Sequence, residues 1–235
     1  MLSPEDSMQA VLRIGHRGAA GHAPENTLAA IRKGIDLGVD FVEIDVRRTA
    51  DGALVILHDE TVNRTTNGKG RVDRLSLQEI KRLNAGNGEA IPTLEEVLKA
   101  VAGRAGLLLE LKIHGVAQQA VETVQEVGFT DPVIYASFLH DELTQVRTFD
   151  SKASLMALFG RLPRDPVVRA VTHGASHVGL RHDTATRRLV DACHRAGLLV
   201  CVYTADNLRD IQHGLTLGVD GVISNYPERI HSAIR

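Results

Sequence analysis

The chain alternates short apolar segments with amphipathic segments, and this alternation constrains the fold more than any other feature of the sequence. The apolar segments predict eight strands, at residues 11–15, 41–46, 107–111, 133–138, 154–159, 177–180, 198–203 and 221–224. Amphipathic stretches of about 10 to 15 residues lie between them, a pattern typical of βα units in a parallel sheet.

Seven helices are predicted in the intervening stretches, at residues 24–37, 93–101, 116–127, 140–148, 166–172, 184–196 and 207–217. The length of 235 residues is close to the about 250 residues typical of one eight-fold α/β barrel. We therefore predict an α/β fold, a TIM (β/α)8 barrel. It would form a single domain over residues 11–235 after an N-terminal tail at residues 1–10.

One segment, at residues 59–90, breaks the alternation. It follows the second strand region and is rich in Gly, Asn and Arg. Loops longer than about 12 to 15 residues are uncommon unless they are functional. We therefore predict a small insertion that crosses the mouth of the barrel, where βα loops build active sites.

Charge and composition exclude several classes of partner. The 27 Lys and Arg residues nearly balance the 29 Asp and Glu residues, so the chain lacks the basic surface that nucleic acid binding requires. The N-terminus lacks the features of a signal peptide, and no stretch approaches the roughly 20 apolar residues of a membrane span. We expect a cytoplasmic protein without membrane insertion, in which Cys193 and Cys201 are reduced and buried.

Three carboxylates follow or end predicted strands. Glu43 and Asp45 are two residues apart in one strand, so both side chains leave the same face about 7 Å apart. Glu110 and Lys112 repeat this spacing in the next long strand. Converging carboxylates suit a hard divalent cation such as Mg²⁺ or Ca²⁺. In the alternative interpretation, Glu110 pairs with Lys112 while Glu43 and Asp45 bind arginines.

Two of the eleven histidines stand directly after apolar β-rich segments. His16 follows residues 11–15 and His58 follows residues 54–57, and barrels keep catalytic groups at the C-terminal ends of strands. Such a pair can divide general-base and general-acid roles at neutral pH. The other nine histidines are expected to be structural.

Two further motifs receive structural interpretations. Residues 24–27 are interpreted as a helix start with polar capping. Residues 64–70 resemble a phosphate-cradling loop, but no strand enters the segment and no helix follows, so a flexible turn is the better interpretation.

The ordered set of motifs closely resembles the glycerophosphodiester phosphodiesterase family from about residue 12 to residue 232. The motifs are His16-Arg17-Gly18, Pro24-Glu25-Asn26-Thr27, Glu43-x-Asp45, His58-Asp59, Arg64-Thr65-Thr66-x-Gly68-x-Gly70, Pro92-Thr93-Leu94, Glu110-x-Lys112, Ser137-Phe138 and Gly221-Val222-x-Ser224-Asn225-Tyr226-Pro227. The resemblance implies one divalent cation, Mg²⁺ or Ca²⁺, on Glu43, Asp45 and Glu110. It also implies catalysis by His16 and His58 and phosphate binding by Arg17 and Lys112.

The sequence departs from the family pattern at one motif, because Tyr203-Thr204 stands where the family usually has Trp-Thr. Tyr203 and Phe138 are candidates for the wall that contacts the carbon skeleton of the substrate.

The expected function is metal-dependent hydrolysis of a small glycerophosphodiester to glycerol 3-phosphate and an alcohol. One alternative is a diesterase of the lysophospholipase D type that acts on lipids. Residues 61–90 contain no Phe, Tyr or Trp to anchor such an enzyme at a lipid surface. The other alternative is a barrel that binds phosphorylated ligands without catalysis.

Overall fold

The structure, a computed structural model, describes residues 11–234, so the predicted tail at residues 1–10 lies outside the described residues. Nine strands form within this range: β1 (Leu12–Gly15), β2 (Phe41–Arg48), β3 (Leu54–Ile56), β4 (Gly106–Leu111), β5 (Val133–Ser137), β6 (Ser154–Phe159), β7 (His177–Arg181), β8 (Leu199–Tyr203) and β9 (Gly221–Ser224). All strands except β3 are parallel, and β1 pairs with both β2 and β9, which closes the barrel. The predicted TIM barrel is confirmed.

Nine α-helices lie in the described part of the chain: α1 (Leu28–Asp36), α2 (Leu77–Lys81), α3 (Leu94–Val101), α4 (Ala117–Glu126), α5 (His140–Phe149), α6 (Pro166–Thr172), α7 (Arg187–Arg195), α8 (Leu208–Leu217) and α9 (Glu228–Ile234). The structure thus adds α2 and α9 to the predicted seven. α2 is too short for helical periodicity to be visible in the sequence. Across residues 11–234, no helix has the length and apolar character needed to cross a membrane.

Strand residues alternate between two apolar clusters. Outward-facing residues such as Leu107 and Leu109 pack with the helices in one large cluster. Inward-facing residues such as Leu108 and Ile223 fill the interior of the barrel. Cys201 is buried in the barrel interior and Cys193 on the inner face of α7, and neither forms a disulfide. Apolar side chains therefore fill the barrel interior below the charged residues at its C-terminal end.

The first helix begins later than predicted. The sequence indicates a start at residue 24, whereas α1 begins at Leu28, and the Thr27 side chain accepts a hydrogen bond from the amide of Ala30 at 3.3 Å. Asn26 has a φ of 59°, which lies outside the helical region. Residues 24–27 therefore form a turn in which only Thr27 serves as the predicted cap.

A hairpin carries His58 to the mouth of the barrel. β3 runs antiparallel to β2, with Val46 opposite Ile56, and the amide of Leu57 donates to the carbonyl of Asp45 at 2.9 Å. His58 therefore follows a strand, as the sequence indicates. The strand before it runs back toward the mouth and is not one of the eight parallel strands.

The segment at residues 59–90 has its own small apolar core. Val62, Val72, Ile80 and Ala85 are buried together with Val55 of β3, and a short 3₁₀ helix and α2 lie within the segment. This core is separate from the barrel core. The segment is therefore held in shape by apolar contacts as well as by its polar side chains.

Gly18 allows the loop after β1 to approach α1 closely. Its φ is 88°, and a Cβ atom built on it would lie 2.4 Å from the backbone carbon of Ala30. Gly52 has nearly the same φ, 90°, but nothing lies within 4 Å of the corresponding Cβ. A side chain at either glycine would strain the backbone, but only one at Gly18 would also overlap a neighbouring element.

Gly18→Ala should destabilise the protein more than Gly52→Ala. Both substitutions place a side chain at positive φ, which costs about 1 kcal/mol. Overlap with α1 should add roughly 1–3 kcal/mol at Gly18 only. Urea unfolding of the two variants measures the difference, and equal destabilisation would show that the loop yields without cost.

Candidate functional site

The residues predicted from the sequence meet in one pocket at the C-terminal ends of the barrel strands. Thirteen residues line it: His16, Arg17, Glu43, His58, Leu108, Glu110, Lys112, Ala136, Phe138, Leu158, Tyr203, Thr204 and Ile223. Asp45, the remaining predicted residue, is 1% exposed and lies against these groups. The pocket thus has an apolar floor and a charged upper layer.

Three carboxylates are buried together in the upper layer. Glu43, Asp45 and Glu110 each offer an oxygen, and these oxygens lie within 4.8 Å of one another. Burial, with the neighbouring charge of Asp45, raises the pKa of Glu110 to about 7 and the pKa of Glu43 well above its ordinary value. The clustered acids therefore favour positive charge between them.

Two cations already approach the cluster. Lys112 Nζ lies 2.7 Å from Glu110 Oε1 and 3.4 Å from Asp45 Oδ1, while Arg17 Nε lies 3.4 Å from Asp45 Oδ2. Burial alone would raise the pKa of Asp45, but the charges of Lys112 and Arg17 outweigh burial and lower it. The pairing of Glu110 with Lys112 in the alternative interpretation is therefore present in the structure.

These ion pairs do not satisfy the cluster. Asp45 Oδ1 and Glu110 Oε1 are buried and accept no well-aligned hydrogen bond from any described residue, so the 2.7 Å contact of Lys112 is an ion pair only. Buried carboxylate oxygens without an aligned hydrogen-bond donor are costly, and such oxygens are the ligands that Mg²⁺ and Ca²⁺ prefer. The acidic cluster therefore fits a divalent cation.

Asn225 determines which nitrogen of His16 faces the pocket. His16 Nδ1 lies 2.8 Å from Asn225 Oδ1, and Asn225 Nδ2 donates to Asp206 Oδ2 at 2.7 Å. Because a carboxylate only accepts, the amide oxygen must face the histidine, and Nδ1 must carry the proton. Nε2, 4.0 Å from Glu43 Oε2, is then the free nitrogen. Burial and the charge of Arg17 lower the pKa of His16 to about 4.

His58 has a carboxylate as its partner instead of an amide. Its Nδ1 lies 2.7 Å from Asp59 Oδ1. Burial lowers the pKa of His58, and the charge of Asp45 and the hydrogen bond with Asp59 partly offset this. The carboxylate favours the protonated ring. Both histidines therefore have a lowered pKa, and they differ in their partner, which is an amide for His16 and a carboxylate for His58.

The turn at residues 24–27 contributes two residues that the sequence interpretation missed. Asn26 Nδ2 donates to Asp45 Oδ2 at 2.8 Å, and Glu25 Oε1 accepts from Arg17 at 2.7 Å. Asp206, Asn225 and Arg64 were likewise not predicted as parts of the site. Adjacent polar residues directly before a capped helix were the available signal for Glu25 and Asn26.

The two predicted wall residues lie on one side of the pocket. The rings of Phe138 and Tyr203 meet edge to face with centroids 6.0 Å apart, and the Tyr203 hydroxyl donates to the carbonyl of Phe159 at 2.9 Å. Lys112 Nζ lies 5.7 Å from the centre of the Phe138 ring. The wall is therefore a fixed apolar surface next to the cationic group.

Comparisons with known proteins agree over nearly the whole chain. The model of the glycerophosphoryl diester phosphodiesterase family matches residues 16–229. The chain is 34% identical over 237 residues to the glycerophosphodiester phosphodiesterase of Caldanaerobacter subterraneus subsp. tengcongensis, a match that covers 95% of this chain and 98% of the relative.

Solved structures also match this chain over nearly its whole length. A phosphodiesterase of Oleispira antarctica in complex with the product sn-glycerol-3-phosphate superposes with a TM-score of 0.88 at 30% identity, covering 94% of this chain and 95% of that one. A glycerophosphodiester phosphodiesterase from Agrobacterium tumefaciens strain C58 gives a TM-score of 0.84 at 30% identity, covering 95% and 100%.

The acidic cluster should make the metal-free protein less stable as the pH rises. Glu110 has a pKa raised from 4.5 to about 7, so the folded state holds a proton that the unfolded chain releases. Stability is then greatest below the unfolded pKa and is lost as the pH rises through the folded pKa. In chelator-treated protein the loss across this range should be about 3 kcal/mol.

Glu110→Gln should reduce this pH dependence, and a saturating divalent cation should do the same in the parent protein. Thermal unfolding at several pH values checks both expectations. A loss of stability that is unchanged by the substitution and by the cation would show that the cluster is not its source.

Proposed function

Because the chain belongs to the glycerophosphoryl diester phosphodiesterase family, we propose that its pocket hydrolyses glycerophosphodiesters to glycerol 3-phosphate and an alcohol, using one divalent cation and two histidines. The protein is a phosphodiesterase. The observation that carries the proposal is the convergence of three buried carboxylates, two histidines and two cations in one pocket.

Arg17 and Lys112 are suited to bind the phosphate. Both side chains are largely buried beside the acidic cluster, with exposed fractions of 15% and 11%. A phosphodiester carries one negative charge, which spreads over its equatorial oxygens in the transition state, and fixed cations stabilise that charge. The similar phosphodiesterase of Oleispira antarctica is in complex with the product sn-glycerol-3-phosphate, which supports binding of a phosphate-bearing product by this fold.

Glu43, Asp45 and Glu110 would hold the cation, Mg²⁺ or Ca²⁺, because their oxygens converge and two of them lack aligned partners. When bound there, the ion would supply further positive charge for the phosphoryl oxygens and lower the pKa of a coordinated hydroxyl.

The different partners of the two histidines support different roles for them. His16 is held neutral with Nε2 free, so it acts as the general base that takes the proton of the attacking hydroxyl of water or of the substrate glycerol. His58 pairs with Asp59, which stabilises its protonated form, so it acts as the general acid that gives a proton to the leaving oxygen. Proton gain at one ring and proton loss at the other balance over the reaction.

The wall formed by Phe138 and Tyr203 would contact the carbon atoms of the glycerol, with Leu108 and Ile223 below. The other tyrosines are engaged elsewhere, since Tyr135 is 2% exposed in the core and Tyr226 stacks on Arg229. An aromatic cage for a quaternary ammonium group needs several rings. The enzyme should therefore select the glycerol phosphate half and tolerate different leaving alcohols.

The purified protein should release choline and glycerol 3-phosphate from glycerophosphocholine, and a chelator should abolish this turnover. Asp45→Asn should weaken divalent cation binding by more than about tenfold. Asp40→Asn is a matched control, because Asp40 pairs with Arg13 just before β2, away from the pocket. Isothermal titration with Mg²⁺ and Ca²⁺ and a coupled choline assay give the two readouts.

Several outcomes would contradict the proposal. Full turnover in excess chelator would exclude the cation. Turnover of a lysophospholipid with none of glycerophosphocholine would favour the lipid diesterase, and binding of glycerol 3-phosphate without any turnover would favour a non-catalytic barrel.

His16→Ala and His58→Ala should each lower kcat by about 10²- to 10⁴-fold. His182→Ala is the control, since His182 follows β7 at the same end of the barrel but does not line the pocket. A p-nitrophenyl diester of glycerol phosphate tests the roles, because its leaving group departs without a proton. His58→Ala should recover much of its lost activity on this substrate, and His16→Ala should not. The reverse result would exchange the roles.

A further inference from the structure

We propose that Arg64, in the segment at residues 59–90, is a positioning residue that holds His58 and Arg17 in their working orientations through Asp59 and Glu25. The proposal rests on the phosphodiesterase function above and extends it to a residue outside the pocket. The sequence interpretation treated the segment at residues 64–70 as a flexible turn.

The Arg64 guanidinium lies between two carboxylates and binds both oxygens of each. Its Nε and Nη2 donate to Asp59 at 2.7 and 3.0 Å. Its Nη1 and Nη2 donate to Glu25 at 2.8 and 2.7 Å. Only a planar fork of donors can make this double bidentate contact, and a lysine ammonium cannot.

Each of the two carboxylates continues to a residue that lines the pocket. Asp59 Oδ1 lies 2.7 Å from His58 Nδ1, and Glu25 Oε1 accepts from Arg17 Nη1 at 2.7 Å. The resulting chain of contacts runs from the histidine through Asp59, Arg64 and Glu25 to Arg17. It joins the proposed general acid to the proposed phosphate-binding cation.

The electrostatics of the chain agree with this role. The hydrogen bonds from Arg64 hold the pKa of Asp59 well below its usual range. Burial raises the pKa of Glu25, but hydrogen bonds from Arg64 and Arg17 outweigh this and lower it. Both carboxylates therefore stay charged. Without Arg64, the partly exposed Asp59 could turn toward solvent, and His58 would lose its fixed partner.

Stability of the segment alone does not explain the contacts of Arg64. The segment has its own apolar core, to which Arg64 does not belong, and the Arg64 side chain is 49% exposed. Exposed ion pairs contribute little to stability. Their geometry matters more at this position, because a misplacement of about 1 Å in a catalytic group can lower the rate about 10²-fold.

Arg71 provides a matched control within the same segment. Its side chain is 51% exposed and it also binds two carboxylates, Glu60 at 2.8 Å and Asp73 at 3.0 Å. Within residues 11–234, neither carboxylate forms an ion pair or a side-chain hydrogen bond with a residue that lines the pocket. Arg64→Ala and Arg71→Ala thus remove similar interactions from one segment, and only the first removes a link to the site.

Arg64→Ala should lower kcat on glycerophosphocholine by about 10- to 100-fold, because it releases a catalytic group from its position. Arg71→Ala should stay within about threefold of the parent, because it removes only exposed ion pairs. Added guanidinium should restore part of the Arg64→Ala activity without affecting Arg71→Ala. Arg64→Lys should resemble the alanine variant because it lacks the fork. A parent-like kcat for Arg64→Ala, an equal loss in Arg71→Ala, or an absence of rescue would each overturn the proposal.

A second readout does not depend on turnover. At a pH at which the His58 ring is neutral, nitrogen-15 NMR should show one tautomer with a proton on Nδ1 in the parent and in Arg71→Ala, and averaging of the two tautomers in Arg64→Ala. An unchanged His58 signal in Arg64→Ala overturns the proposal even if activity falls. An inactive parent that still shows the expected NMR change would instead contradict the phosphodiesterase function.

Discussion

The burial of three carboxylates at one end of the barrel is the constraint on which the rest of the site depends. Charge of one sign is expensive away from water, and Glu43 and Glu110 respond with raised pKa values. Arg17, Lys112 and Asn26 supply part of the compensation, yet two oxygens stay without aligned partners. The proposed divalent cation would complete the balance. The same positive charge would then serve to bind a phosphodiester, so the cost of burial and the proposed catalysis would have one cause.

The fold separates apolar packing from the charged residues of the site along the barrel strands. In β4, Leu107 and Leu109 face the helices, whereas Leu108 lies inside and Glu110 lies above it at the pocket. Apolar packing in the lower barrel gives the charged layer a rigid base, because close-packed interiors resist displacement. The loops then only have to orient side chains whose backbone positions are already determined by the sheet.

The two histidines differ because their partners differ. An amide held by Asp206 contacts His16, and a carboxylate held by Arg64 contacts His58. Both rings have a lowered pKa, but the carboxylate beside His58 opposes the lowering there, and this difference underlies the proposed base and acid roles. The partners come from distant parts of the chain: the loop after β9 for His16 and the segment at residues 59–90 for His58.

The sequence by itself determined the barrel, since the alternation of apolar and amphipathic segments reflects local conformation and burial. It also placed Glu43 beside Asp45, because a spacing of two in a strand puts both side chains on one face. Only the tertiary structure decided that His58 arrives on an antiparallel strand, that Asn225 meets His16 across 209 residues, and that Arg64 reaches Glu25 across 39. Periodicity reports which face of an element is buried. It does not report which polar side chains meet, because those contacts depend on closure of the barrel and on the paths of its loops.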